Sequence, residues 1–92
     1  MVPISDSIVK QSIDFYGEDL ESTVCMEECA ELIQAISKQK RGKSDKEHLT
    51  EEIADVLICI KLLQSIYDIP DGHIADWIIS KQARMLERIK GE

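Results

Sequence analysis

Two acidic clusters carry the chemistry of this sequence: Glu27-Glu28-Cys29-Ala30-Glu31 and Glu51-Glu52-Ile53-Ala54-Asp55. Both fall inside otherwise apolar stretches. Residues three apart share a helix face, so Glu28 can converge with Glu31 on one point, and Glu52 with Asp55. Like charges at this spacing destabilise a helix by roughly 0.2–0.5 kcal/mol per pair unless something neutralises them. Neither five-residue cluster contains a Lys or Arg to do so. A bound cation would. Oxygen-only ligands suit Mg²⁺ or Mn²⁺, hard ions that keep some water and often meet substrate phosphates. A di-iron bundle would bring Glu-x-x-His motifs, and no His follows a Glu of either cluster by three residues. The competing reading is two solvated acidic stripes.

The elements that must position these acids are helical. Helical periodicity dominates, and four Gly and two Pro punctuate the chain. A first helix is expected from about Ser5 to Tyr16, with Ile8, Ile13 and Phe15 among its apolar positions and Gly17 at its end. A second begins near Asp19 or Ser22 and reaches about Lys40, with Val24, Cys25, Cys29, Leu32, Ile33 and Ile36 at helical spacing. Arg41-Gly42-Lys43 breaks the pattern, and Ser44 or Asp45 can cap a third helix that runs to about Tyr67. From Ile53 to Ile66 that helix is apolar almost all round, which implies burial on more than one side. So short a chain has little material to cover both, and the third helix is therefore expected near an oligomer interface. After Asp68-Ile69-Pro70-Asp71-Gly72 a fourth helix covers roughly Asp71 to Lys90, with Ile74, Trp77, Ile78, Met85, Leu86 and Ile89 as its apolar positions.

Pairing geometry sharpens the cation reading. In an antiparallel hairpin, facing residues have numbers with a near-constant sum. Glu28 with Asp55 and Glu31 with Glu52 both sum to 83, and half of that falls on the Arg41-Gly42 turn. One register therefore brings all four carboxylates to the same level.

Composition sets the outer limits. The chain has 92 residues with 18 acids and 11 bases, a net charge of −7; 43% of it is hydrophobic and 32% charged. That suits a single globular domain over residues 1–92 and excludes a disordered acidic tail. The acidity speaks against a nucleic-acid polymer as partner. No stretch approaches a membrane span, the longest apolar run being Val56 to Ile60. Residues 1–7 lack the regions of a signal peptide, so a cytoplasmic protein is expected. Cys25, Cys29 and Cys59 read as small buried hydrophobes rather than a disulfide framework or zinc site. His48 and His73 read as isolated surface residues. Six of the acids, Glu27, Glu28, Glu31, Glu51, Glu52 and Asp55, belong to the two clusters, and the rest of the chain carries only −1.

Taken together, EECAELIQAISKQKRGK and EEIADVLICI resemble the ExxE…ExxD pattern of the MazG-type all-α nucleoside triphosphate pyrophosphohydrolases, from roughly Phe15 to Arg88. The Tyr16-Gly17 approach and the Arg41-Gly42 turn are similar to short single-domain members. The resemblance implies Mg²⁺-dependent hydrolysis (Mn²⁺ as substitute) of an NTP or dNTP to the monophosphate and pyrophosphate. Glu28, Glu31, Glu52 and Asp55 take the places of metal ligands. Glu27 and Glu51 precede the motifs and are candidates for orienting the attacking water or supporting the ligands. Lys81, Arg84 and Arg88 share one face of the fourth helix and resemble the segment that holds the triphosphate, although Arg84 stands where many members have Asn. Lys38 is a further phosphate candidate. The nucleobase is left open, since Phe15, Tyr16, Tyr67 and Trp77 read first as packing residues. The expected whole is an all-α, four-helix protomer with a central antiparallel helical hairpin, assembled into a homo-oligomeric bundle, dimer or tetramer. The alternative is a non-enzymatic helical oligomerisation or regulatory module whose acids only keep it in solution.

Overall fold

The computed structural model describes residues 3–43 and 45–91, and within them the chain forms four α-helices and no strand. They are α1 (Asp6–Tyr16), α2 (Glu18–Lys40), α3 (Lys46–Ile66) and α4 (Asp71–Gly91). Local chemistry explains each limit. The Ser5 hydroxyl accepts from the Ile8 amide and caps α1, with Asp6 in the first turn where the helix dipole favours a negative charge. The Asp45 carboxylate accepts from the His48 amide at 2.8 Å and caps α3; Ser44, the other expected cap, lies outside the described residues. Helix α2 starts at Glu18, earlier than its polar first turn suggests, because Gly17 alone links it to α1. Gly17 has φ 89° and ψ 154°, a region essentially reserved for glycine.

The hairpin turn closes α2 with a Schellman motif. Lys43 donates its amide to the Lys38 carbonyl and Gly42 to that of Gln39, with Gly42 at φ 69°. Helix α3 ends the same way: Ile69 donates to the Gln64 carbonyl, and Asp68 stands at φ 59° where glycine is usual.

The antiparallel α2–α3 hairpin is the centre of the fold, and α1 lies across it. The core is small: Val9 and Ile13 of α1, Cys25 of α2, and Cys59 and Leu62 of α3, joined by Ile4, Leu63 and Ile66. The buried Cys25 thiol donates to the Cys59 carbonyl at 3.5 Å, which fixes the hairpin register at mid-length. Ala35 is buried nearer the turn, where its small side chain lets the backbones approach. Cys29 departs from the expectation of a buried thiol. It is exposed, because the buried stripe of α2 runs through Glu21, Cys25, the half-buried Glu28 and Ala35, and Cys29 falls outside it.

Helix α4 behaves differently. It has no buried residue and shares no packed face with α1, α2 or α3. Its start is tied down: the Asp71 carboxylate accepts from Gln64 at 2.7 Å and from Lys61 at 3.0 Å. These two partners, the Gln64 amide first, hold the Asp71 carboxyl below the usual carboxylate range. The apolar surface of α3 is likewise only partly used, with Ile53, Ile58 and Ile60 exposed.

The one-residue link gives a direct stability prediction. Gly17→Ala puts a Cβ into backbone that only glycine adopts easily, although nothing lies within 4 Å of it. It should therefore cost about 1–3 kcal/mol through strain alone. A urea denaturation curve with an unchanged midpoint would show that the corner is not held at this conformation.

Candidate metal centre

The site follows from the hairpin register. With Cys25 opposite Cys59, one to two turns further along α2 and two turns back along α3 bring Glu28 and Glu31 towards Glu52. Ligand oxygens of these three carboxylates lie within 4.8 Å of one another. Glu52 is buried, Glu28 half-buried and Glu31 exposed, so the cluster opens to solvent on the Glu31 side. Asp55, the fourth expected ligand, is half-buried beside the group but outside the set of mutually close oxygens. Its charge nevertheless acts on both Glu28 and Glu52.

The electrostatics of the cluster are unfavourable as it stands. Burial is the main cause that pushes the Glu28 carboxyl up to about 7, reinforced by the charges of Glu31, Asp55 and Glu52 and by a hydrogen bond to Glu31. Burial also raises Glu52, with Glu31 and Asp55 adding to it and His48 partly opposing it. One oxygen of each residue, Glu28 Oε2 and Glu52 Oε2, is buried with no hydrogen-bond partner. Unpartnered buried carboxylate oxygens cost desolvation energy that nothing repays. A hard divalent cation would supply the missing partner and oppose the upward shifts, so the donor set fits Mg²⁺ or Mn²⁺.

The remaining expected site residues are dispersed. Glu27 and Glu51 are exposed, on α2 and α3, next to the cluster in sequence. Lys38 lies two turns beyond Glu31 in the last turn of α2 and is exposed. Lys81, Arg84 and Arg88 are exposed on α4, which shares no packed face with the α2–α3 hairpin that carries the acidic cluster, and the Lys81 ammonium sits 5.8 Å from the centroid of the Trp77 ring. Glu21 escaped the sequence reading. It is a buried carboxylate two turns before Glu28 on the same α2 face, and Ser12 of α1 donates a hydrogen bond to it. Its seven-residue spacing from Glu28 and four-residue spacing from Cys25 were the available signal.

Two stability measurements follow. Without metal, the folded state holds the Glu28 proton between the ordinary 4.5 and about 7. Glu28 thus contributes stability that is full below pH 4.5 and is lost as pH rises through about 7. The melting temperature of the metal-free protein should fall across that window, and Glu28→Gln should flatten the slope. At pH 8, Mg²⁺ or Mn²⁺ should raise the melting temperature, equivalent to about 2.7 kcal/mol at a hundredfold excess over Kd. Indifference to millimolar divalent ions would refute the site.

Among known families, the profile described as the MazG nucleotide pyrophosphohydrolase domain matches residues 19–86, which contain both acidic motifs and all four candidate ligands. No curated protein and no solved structure is significantly similar to the chain.

Proposed function

The chain belongs to the MazG nucleotide pyrophosphohydrolase domain family, and from that premise we propose that it hydrolyses a nucleoside or deoxynucleoside triphosphate to the monophosphate and pyrophosphate, in the service of the cytoplasmic nucleotide pool. The observation that carries this reading is the pair of orphaned oxygens, Glu28 Oε2 and Glu52 Oε2, in a cluster with Glu31. Glu28, Glu31 and Glu52 would hold Mg²⁺ or Mn²⁺, and Asp55 would join them from the edge of the cluster. When bound, the metal offsets phosphate charge and lowers the pKa of coordinated water.

The residues of the chain divide the remaining work by position. Glu52, the most buried, anchors the site to the hairpin core and sets its depth. Glu31, on the solvent side, is the ligand nearest an approaching triphosphate. Glu27 and Glu51 are exposed beside the cluster, where a carboxylate can orient water and accept its proton. Lys38, Lys81, Arg84 and Arg88 are the cations available to the phosphates. An acidic protein can thus accept a polyanion, because the cation site changes the local sign of the charge.

Pyrophosphate release from a panel of NTPs and dNTPs with Mg²⁺ tests the proposal. At least one nucleotide should be turned over, and Glu52→Gln should lower kcat/KM by roughly 100-fold or more. Silence with every nucleotide, or activity untouched by Glu52→Gln, would leave the non-enzymatic helical module as the better reading. Among the described residues no helix is long and apolar enough to cross a membrane, which is compatible with a nucleotide in water as substrate.

A further inference from the structure

Helix α4 sorts its side chains by angle. At about 100° per residue, Ile78, Met85, Leu86 and Ile89 lie about 80–180° round the helix from Trp77. Lys81, Arg84 and Arg88 lie within about 40° of it, and His73 falls on the same stripe. The acids of the helix, Asp71, Asp76 and Glu87, all stand about 80° or more away. Trp77 is therefore placed among the cations and is exposed with them. A tryptophan that served packing would stand on the apolar side instead.

Two further observations mark its ring as a platform. The Lys81 ammonium sits 5.8 Å from the ring centroid, within the range at which a cation is attracted to an indole face. Beside the ring a cavity of about 460 Å³ opens at the start of α4, lined by Ile69, His73, Ile74, Trp77, Ile78 and Lys81. Aromatic, apolar and cationic groups thus border one space. Beyond it the helix turns basic: residues 81–91 carry four bases and one acid. Along the axis Lys81 follows Trp77 by about 6 Å and Arg84 by about 10 Å. The ring and these two cations fall within the length of one extended nucleoside triphosphate, and Arg88 continues the line.

We infer that Trp77 is the nucleobase platform of this protein: a base stacks on its ring in the α4 cavity, and the polyphosphate runs from Lys81 past Arg84 towards Arg88. The inference rests on the nucleotide reading above for the kind of ligand, and it divides the labour between the acids of the hairpin, which serve the reacting phosphates, and α4, which recognises the base. Specificity follows from the lining. Every base has a face to stack, and the side-chain hydrogen-bonding groups of the cavity are those of His73, Lys81 and the indole N–H. Selection therefore runs by stacking strength, so purine nucleotides bind several-fold more tightly than pyrimidine nucleotides and no single base is required.

Trp77 is the only tryptophan of the chain, and its fluorescence reads the contact directly. ATP titrated into the full-length protein in EDTA, where a metal-dependent hydrolase is silent, should quench the emission saturably. Inorganic tripolyphosphate, which engages the cations but has no base, should displace ATP and restore it. By calorimetry, Trp77→Ala should weaken ATP binding about 10- to 100-fold, and Trp77→Phe should keep most of the affinity. No residue of α4 is buried, so both variants should retain the wild-type circular dichroism spectrum, and the wild-type quench stands as a test that needs neither. Emission unchanged by ATP, equal affinity in Trp77→Ala, or dCTP bound more tightly than ATP would each overturn the inference. So would a single-stranded oligonucleotide bound far more tightly than ATP, since the stripe would then be a track for a polymer. Quenching without pyrophosphate release in Mg²⁺ would sink the enzymatic reading and leave the Trp77 contact standing, whereas release without a base-dependent quench would sink the Trp77 contact alone.

Discussion

Everything in this molecule depends on the register of one antiparallel helix pair. A Schellman turn at Lys38–Lys43 sends the chain back along itself, and the buried contact between Cys25 and Cys59 sets which residues face each other. Once those are fixed, Glu28, Glu31 and Glu52 have no choice but to meet. A slip of one residue would rotate Glu52 by about 100° around α3 and disperse the cluster. The price of the arrangement is electrostatic. Carboxylates buried in one another's field resist ionisation, and two of their oxygens have no partner in the protein. The fold thus holds a destabilising group in place with a core of very few side chains, a pattern expected where function rather than stability selects the residues.

The same economy explains the rest of the architecture. Three helices supply one core cluster, and α1 is fastened to α2 by a single glycine corner and by the Ser12–Glu21 hydrogen bond. The apolar surface left on α1 and α3 is not covered by α4 of the same chain, which leaves the body at an anchored joint and keeps its own apolar stripe. A chain that gives part of its hairpin core to a buried charged site leaves much apolar surface, the α4 stripe included, exposed. Charge follows this division too: the net −7 belongs entirely to the first seventy residues, and the last stretch of α4 is basic.

Much of this was legible in the residues. The four helices, their caps and the turn at Arg41-Gly42 follow from periodicity and from the chemistry of Ser5, Asp45 and Gly42. The level at which the carboxylates meet followed from the shared sum of their residue numbers. Asp55 shows the limit of that argument: equal sums place residues at one height along the axis, but not at one angle around it, and Asp55 stands at the edge. Cys29 shows the same limit, since helical spacing alone did not say which of two apolar stripes faces α3. Helix α4 was legible as a helix but not as an arm. Its amphipathic pattern promises a partner surface, and only the packing of the other three helices reveals that this chain does not provide one. Glu21 was marked only by its spacing from Cys25 and Glu28, and the serine that partners it lies on another helix.

The claim on which the account rests is that Glu28, Glu31 and Glu52 form a divalent-cation site inside the α2–α3 hairpin. Direct titration with Mn²⁺, followed by electron paramagnetic resonance as loss of the free-ion signal, tests it without reference to any nucleotide. Saturable binding by the wild-type protein that is competed by Mg²⁺ and abolished in Glu52→Gln is the predicted result. A wild-type chain that leaves the free-ion signal unchanged, or a Glu52→Gln chain that binds as well as the wild type, would contradict it.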